Sequence, residues 1–157
     1  MTYPDYKLLN AQVAALLGDE TDALASAANF VGLLYNAFED VNWLGLYVLR
    51  ADELVLGPFQ GQPACVHIMV GAGVCGTAAA NRETQRIADV HEFPGHIVCD
   101  AASRSEIVVP LMVNDELIGV LDIDSPSLDR FSEDDQHGIE QLCRTYCELQ
   151  AGRDNFI

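Results

Sequence analysis

The sequence predicts an α+β fold with a mainly antiparallel sheet. Two observations carry that expectation. Helical periodicity is confined to the two ends of the chain, and the middle reads as short apolar strands joined by polar turns. A chain of 157 residues, 50% apolar with a mean hydropathy of +0.12, is long enough to bury a core without disulfide staples. No repeat, low-complexity tract or linker interrupts it, so one domain is expected over 1–157.

In the first helix, Leu9, Val13, Leu16 and Leu17 fall on one face; in the second, Leu24, Ala28, Val31, Tyr35 and Phe38 do so. WLGLYVL (43–49) and ELVLG (53–57) form a hairpin across a short polar break, and CVHIMV (65–70) is a third strand. A short helix from Thr77 to about Arg82 and a fourth strand, QRIADV (85–90), follow. The stretch HEFPGHIVCDAASRS is a long loop, a feature that is uncommon in compact domains and often functional; His91 and His96 are read as ordering it. EIVVPLMV and ELIGVLDID then pair through Asn114-Asp115, a strong hairpin signal. Ser132, followed by acids in the first turn, opens a last helix with Ile139, Leu142, Cys143 and Tyr146 inward.

Charge narrows the function. With 24 acidic against 8 basic residues, the chain carries a formal −16, which repels phosphate backbones and anionic lipids. Nucleic-acid and membrane partners are therefore not expected. No apolar run reaches the length of a membrane span, and MTYPDYKLLNAQ lacks the basic and apolar regions of a signal peptide, so a cytoplasmic protein is expected. In that compartment thiols are kept reduced. Cysteines gathered in one region there more often do chemistry than hold structure.

Three cysteines meet that description. Cys65 follows Gly61-Gln62-Pro63, Cys75 lies in a glycine-rich turn, and Cys99 lies in the long loop. Cys65 and Cys99 are the expected exposed thiols. Cys143 and Cys147, four apart on the last helix, share the face of Ile139 and Tyr146 and read as core. Cys65, His67, His96 and Cys99 offer two sulfurs and two nitrogens, but no CxxC pair occurs, and no metal site is expected. Gly71 to Gly76 is a literal GxGxxG. The helix after it is too short to cross over a parallel sheet, so a glycine-rich turn is the better reading than dinucleotide binding.

Carboxylates matter where polarity breaks a buried pattern. Asp122 and Asp124, two apart on a strand, share one face with Ile118 and Val120, while Leu121 and Ile123 face the core. A site and a strand end emerging into solvent explain the pair equally well. Glu106, on the partner strand, would be a third acid nearby. A two-residue Asn114-Asp115 turn would set Glu106 opposite Ile123, on the wrong face. An irregularity between Glu106 and Leu117, plausible at Pro110, is thus required if the three acids share a pocket. Trp43 and Tyr47, also on one strand face, read equally as core or as pocket wall.

Taken together, NWLGLY, GPFQGQPACVHI, GVCGTA, ADVHEFPGHIVCDAASRSEIVVPL and GVLDIDSP resemble the free methionine-(R)-sulfoxide reductases, enzymes built on a GAF domain. The resemblance spans nearly the whole chain. It implies a single GAF-type domain, with a sheet of about six strands and the terminal helices packed on one side. It further implies free methionine sulfoxide as substrate, Cys99 as attacking thiol, Cys65 as main resolving thiol and Cys75 as an auxiliary resolving or structural one. Trp43 and Tyr47 would hold the methyl end and stem of the substrate, while Glu106, Asp122 and Asp124 would handle its ammonium and its sulfoxide oxygen. No cofactor is implied beyond an external dithiol, most plausibly thioredoxin, and GAF domains commonly associate as homodimers.

These residue types suit that chemistry. A thiolate attacks the sulfoxide sulfur while the oxygen is protonated, giving methionine and a sulfenic acid that a second thiol traps as a disulfide. Three carboxyls in one pocket should leave at least one neutral at physiological pH. The expected donor is Asp124 assisted by Glu106, with Asp122 on the ammonium. The alternative is a non-catalytic GAF sensor of a small ligand or of redox state.

Overall fold

The computed structural model describes residues 4–97, 99 and 101–152. Helices α1 (Tyr6–Leu17) and α2 (Ala23–Ala37) open the chain. Each starts on an aspartate whose carboxylate accepts from a first-turn amide, Asp5 from Leu8 at 3.0 Å and Asp22 from Ala25 at 2.8 Å. In α1 the buried face is Leu9, Val13 and Leu17, and in α2 it is Ala27, Phe30, Val31 and Leu34. The expected Leu16, Leu24 and Ala28 are exposed instead. Both helices are apolar nearly all round, so periodicity alone admits two neighbouring faces, and the packed layer selects between them.

Six strands follow, β1 (Trp43–Arg50), β2 (Glu53–Gln60), β3 (His67–Met69), β4 (Gln85–Ile87), β5 (Ser105–Val113) and β6 (Glu116–Ser125). They form one antiparallel sheet in the order β3-β2-β1-β6-β5-β4. Between β3 and β4 lies helix α3 (Gly73–Asn81), and α4 (Glu133–Gln150) closes the fold. Two expected strands are shorter than their apolar runs. Cys65 lies in the loop before β3, and a 3₁₀ turn (Val90–Glu92) replaces the end of the fourth. Helix α3 begins earlier than expected, so the glycine-rich turn is its first turn. A Cβ at Gly76 would meet the Met69 carbonyl oxygen at 2.5 Å, a close approach that only glycine permits.

The sheet separates two apolar layers. On one face Leu44, Leu46, Ile107, Leu111, Leu121 and Ile123 pack with α1, α2 and α4, the terminal helices being on one side as expected. Ile139, Leu142, Cys143, Tyr146 and Cys147 are all buried there. Asp135 of α4 is also fully buried: it accepts from the Tyr6 hydroxyl at 2.6 Å and from Arg130 at 3.2 Å, while Arg130 donates to the Glu39 carbonyl. On the other face Trp43, Tyr47, Leu54, Ile68, Val108 and Val120 pack against α3.

The β5–β6 hairpin turns through Asn114 and Asp115, both at positive φ, as a two-residue turn of this hand requires. Its register slips between Leu111, which pairs with Gly119, and Met112, which pairs with Leu117. The slip sets Glu106 opposite Asp124 instead of Ile123. The required irregularity is therefore present, but the extra residue is Ile118 of β6, and Pro110 pairs regularly with Val120. Ile118 is consequently turned to the helical layer and does not share the face of Asp122.

Candidate active site

The register slip gathers the acids beneath a pocket of about 500 Å³, its open mouth included. β1 supplies one wall. The Trp43 and Tyr47 rings lie 6.0 Å apart at 27°, both almost fully buried. The Trp43 indole N–H donates to the Gln62 carbonyl at 3.0 Å and the Tyr47 hydroxyl to the Cys65 carbonyl at 2.8 Å. These two bonds tie the β2–β3 loop down over the pocket. Trp43 also stacks on Phe59 with centroids 5.4 Å apart, so the rings line the pocket while packed on one another and on β2. Of the two readings open to this pair, pocket wall is thus realised without loss of core packing.

The floor is acidic. Glu106 and Asp122 are each 6% exposed, and Asp124 lines the pocket half-buried. The Cys75 thiol lies 3.9 Å from Glu106 Oε1, and donor atoms of Cys75, Glu106 and Asp122 all fall within 4.8 Å of one another. Asp122 Oδ1 is buried with no hydrogen-bond partner among the described residues. Burial first, then the negative charge of Asp122 and Asp124, pushes the Glu106 carboxyl well above its ordinary range. Burial also pushes Asp122 up to about 6. The Cys75 thiol goes up for the same reasons, desolvation and then the neighbouring acids. Burial thus favours the protonated forms of all three groups, and a cation would have to displace those protons.

Cys65 and Cys99 are joined by a disulfide at the pocket mouth, with Cα atoms 5.5 Å apart. Both are partly exposed, whereas Cys75 is a buried free thiol. Of the two resolving partners open to Cys99, the structure pairs it with Cys65. The Cys-His set considered for metal is not assembled, because its sulfurs bond to each other and His67 pairs with Glu53 at 3.0 Å on the exposed edge strand.

Two further residues line the pocket, His96, which the sequence assigns only to ordering the loop or to a metal set, and Ser103, which it does not single out. His96 lines the pocket with Nε2 at 4.0 Å from Glu106 Oε2, and burial followed by the neighbouring His91 holds its pKa below the ordinary value. Ser103 lines the same pocket and lies 3.2 Å from the Asn42 side-chain amide. The signal that could have found them is the long loop itself, which carries His96, Cys99 and Ser103 together. Val98 and Asp100, beside Cys99 in sequence, lie outside the described residues.

The GAF-domain family profile matches residues 6–146. The chain is 57% identical over 149 residues to the free methionine-R-sulfoxide reductase of Escherichia coli K12, covering 95% of this chain and 90% of that protein. It superposes on fRMsr of Staphylococcus aureus in complex with substrate with a TM-score of 0.92 at 48% identity, covering 96% and 99% of the two chains. The free methionine-R-sulfoxide reductase of Neisseria meningitidis, also in complex with its substrate, gives a TM-score of 0.88 at 42% identity, covering 92% and 87%. With this match in sequence and fold over nearly its full length, the chain belongs to the GAF-domain family of free methionine-R-sulfoxide reductases.

Proposed function

We propose that this chain reduces free L-methionine-(R)-sulfoxide to methionine by a thiol mechanism. The observation that carries the reading is a disulfide at the mouth of a pocket with an aromatic wall and a floor of buried carboxyls. In the reduced enzyme the Cys99 thiolate attacks the sulfoxide sulfur. An S–S bond forms as the S–O bond breaks, and the protonated oxygen leaves as water. A water molecule then attacks Cys99 Sγ, expelling methionine and leaving the sulfenic acid. The Cys65 thiol then displaces the sulfenic oxygen as water, forming the disulfide. An external dithiol returns the two electrons, and a cytoplasmic thioredoxin is the donor this chemistry fits.

Trp43 and Tyr47 receive the methyl end and stem of the substrate. The donor expected from sequence, Asp124, is the more exposed acid. Glu106 is the carboxyl whose burial and acidic neighbours push its pKa well up and favour the neutral form, so protonation of the departing oxygen is assigned to Glu106. Asp122 and Asp124 then face the substrate ammonium, and the unpartnered Asp122 Oδ1 gains a donor on binding. The backbone amides of Ile97 and Cys99, two residues that line the pocket, are assigned to the substrate carboxylate.

The test is methionine formation from the free (R) and (S) sulfoxides separately, with excess dithiothreitol and Cys99→Ser as control. Turnover of the (R) epimer alone, lost in the variant, is expected. Folded, reduced protein that turns over neither epimer would overturn the assignment in favour of ligand sensing.

A further inference from the structure

The rim on the Cys65 side of the pocket differs from the rest of this acidic surface. From Leu54 to Asn81 the chain has no Asp, Glu, Lys or Arg, although 20% of all its residues are charged and the net charge is −16. That run includes the whole loop that carries Cys65 and the first turn of α3. Within it Gly61, Gln62, Pro63 and Val66 are exposed, and the Val66 side chain, beside the disulfide, is 52% accessible. An exposed β-branched residue in an uncharged loop contributes nothing to the core. It does offer apolar contact at the one place where another molecule must reach a sulfur.

We propose that this rim, uncharged in its own sequence and bordered by the Glu53–His67 pair, is the docking surface for the protein dithiol that reopens the disulfide, and that the incoming thiolate attacks Cys65. The inference rests on the reductase reading and names the partner of the same site. A protein donor has to bring its thiolate into line with the S–S bond, which demands close contact over the surrounding surface. Long-range charge attraction is not needed where an apolar patch fixes the contact. Cys65 is flanked in sequence by Ala64 and Val66, whereas Cys99 is followed by an aspartate. Attack on Cys65 forms the intermolecular disulfide there and expels Cys99 as the thiolate, which is the state the next turnover needs. The donor's second thiol then attacks the mixed disulfide and releases Cys65. Two electrons pass, the donor ends as its own disulfide, and protons are exchanged with water.

The experiment compares Val66→Glu with the parent in two assays, one driven by dithiothreitol and one by thioredoxin with its reductase and NADPH. The KM for thioredoxin is expected to rise about tenfold in the variant, as a buried, unpaired charge at an interface implies, with dithiothreitol-driven turnover unchanged. Leu24→Glu, equally exposed but on α2, should leave both assays at the parental level. An unchanged thioredoxin KM in Val66→Glu would overturn the docking surface. Failure of the parent with dithiothreitol would instead overturn the reductase reading itself. The site of attack is read by trapping with a thioredoxin that lacks its second thiol: a mixed disulfide on Cys65 is expected, and one on Cys99 would reverse the assignment.

Discussion

At the residue scale, the acids under the pocket work against the stability of the fold. Asp122 titrates at about 6 in the native state, because burial disfavours its charge. An unfolded aspartate titrates near ~3.9. Between those values the native state binds the proton more tightly, so stability falls as pH rises across that window and stays low above it. Each pK unit corresponds to about 1.4 kcal/mol, so ionised Asp122 costs roughly 3 kcal/mol above pH 6. Glu106 is shifted in the same direction and adds to the effect. Asp122→Asn is therefore expected to raise the urea midpoint at about pH 8, with the gain shrinking toward zero at about pH 4. A variant no more stable than the parent at the higher pH would mean that the native carboxylate is compensated. The same substitution should raise the KM for the sulfoxide, since its charge faces the ammonium. Such a site trades stability for function.

At the scale of elements, the β5–β6 hairpin places the acids, and Gly119 permits its geometry. A Cβ there would run into the Tyr47 carbonyl oxygen, which is backbone and cannot swing aside. Gly119→Ala must then separate β1 from β6, the pair that carries Trp43, Tyr47, Asp122 and Asp124. It is expected to cost about 2 kcal/mol or more and to reduce turnover. Gly32→Ala, on α2 with open space around its Cβ, should stabilise by about 0.5–1 kcal/mol. Unfolding curves of the two variants check both signs, and a neutral Gly119→Ala would show that the strands part at no cost. The hairpin also marks what the sequence could disclose. The need for an irregularity followed from strict alternation and the turn length, both local properties. Its location on Ile118 did not, because the deciding contact is a carbonyl of a strand far away in sequence. The buried faces of α1 and α2 were blurred for a related reason, since only the sheet selects among their apolar residues. Asp135 went unnoticed as one acid among many in the first turn of α4, and its buried bonds to Tyr6 and Arg130 are long-range facts. Cys65 and Cys99 were legible as exposed thiols from residue type and the turns beside them, whereas strand parity put Trp43 and Tyr47 on one face without deciding between core and pocket wall.

At the scale of the whole molecule, the sheet divides two tasks. The helical layer holds the larger apolar cluster and none of the pocket residues, while the α3 layer holds the pocket and the disulfide. The disulfide spans 34 residues of sequence and ties the loop before β3 to the long loop before β5. Closing a loop of that length restricts the unfolded chain by roughly 3–4 kcal/mol in the chain-entropy model. Each catalytic cycle would therefore alternate between a more and a less stable form. The loosening should be local, because α1, α2, α4 and the central strands keep their packing without the crosslink. Reduction with dithiothreitol is expected to lower the urea midpoint, while amide exchange quickens only in the 61–66 and 91–104 segments. Exchange that quickened equally in α4 and β6 would mean that the layers open together, and the disulfide would then govern the whole fold and not only the pocket mouth. Exchange confined to the two loops would leave the helical layer as a fixed base, on which the mouth opens to substrate when reduced and presents Cys65 to its reductant when oxidised.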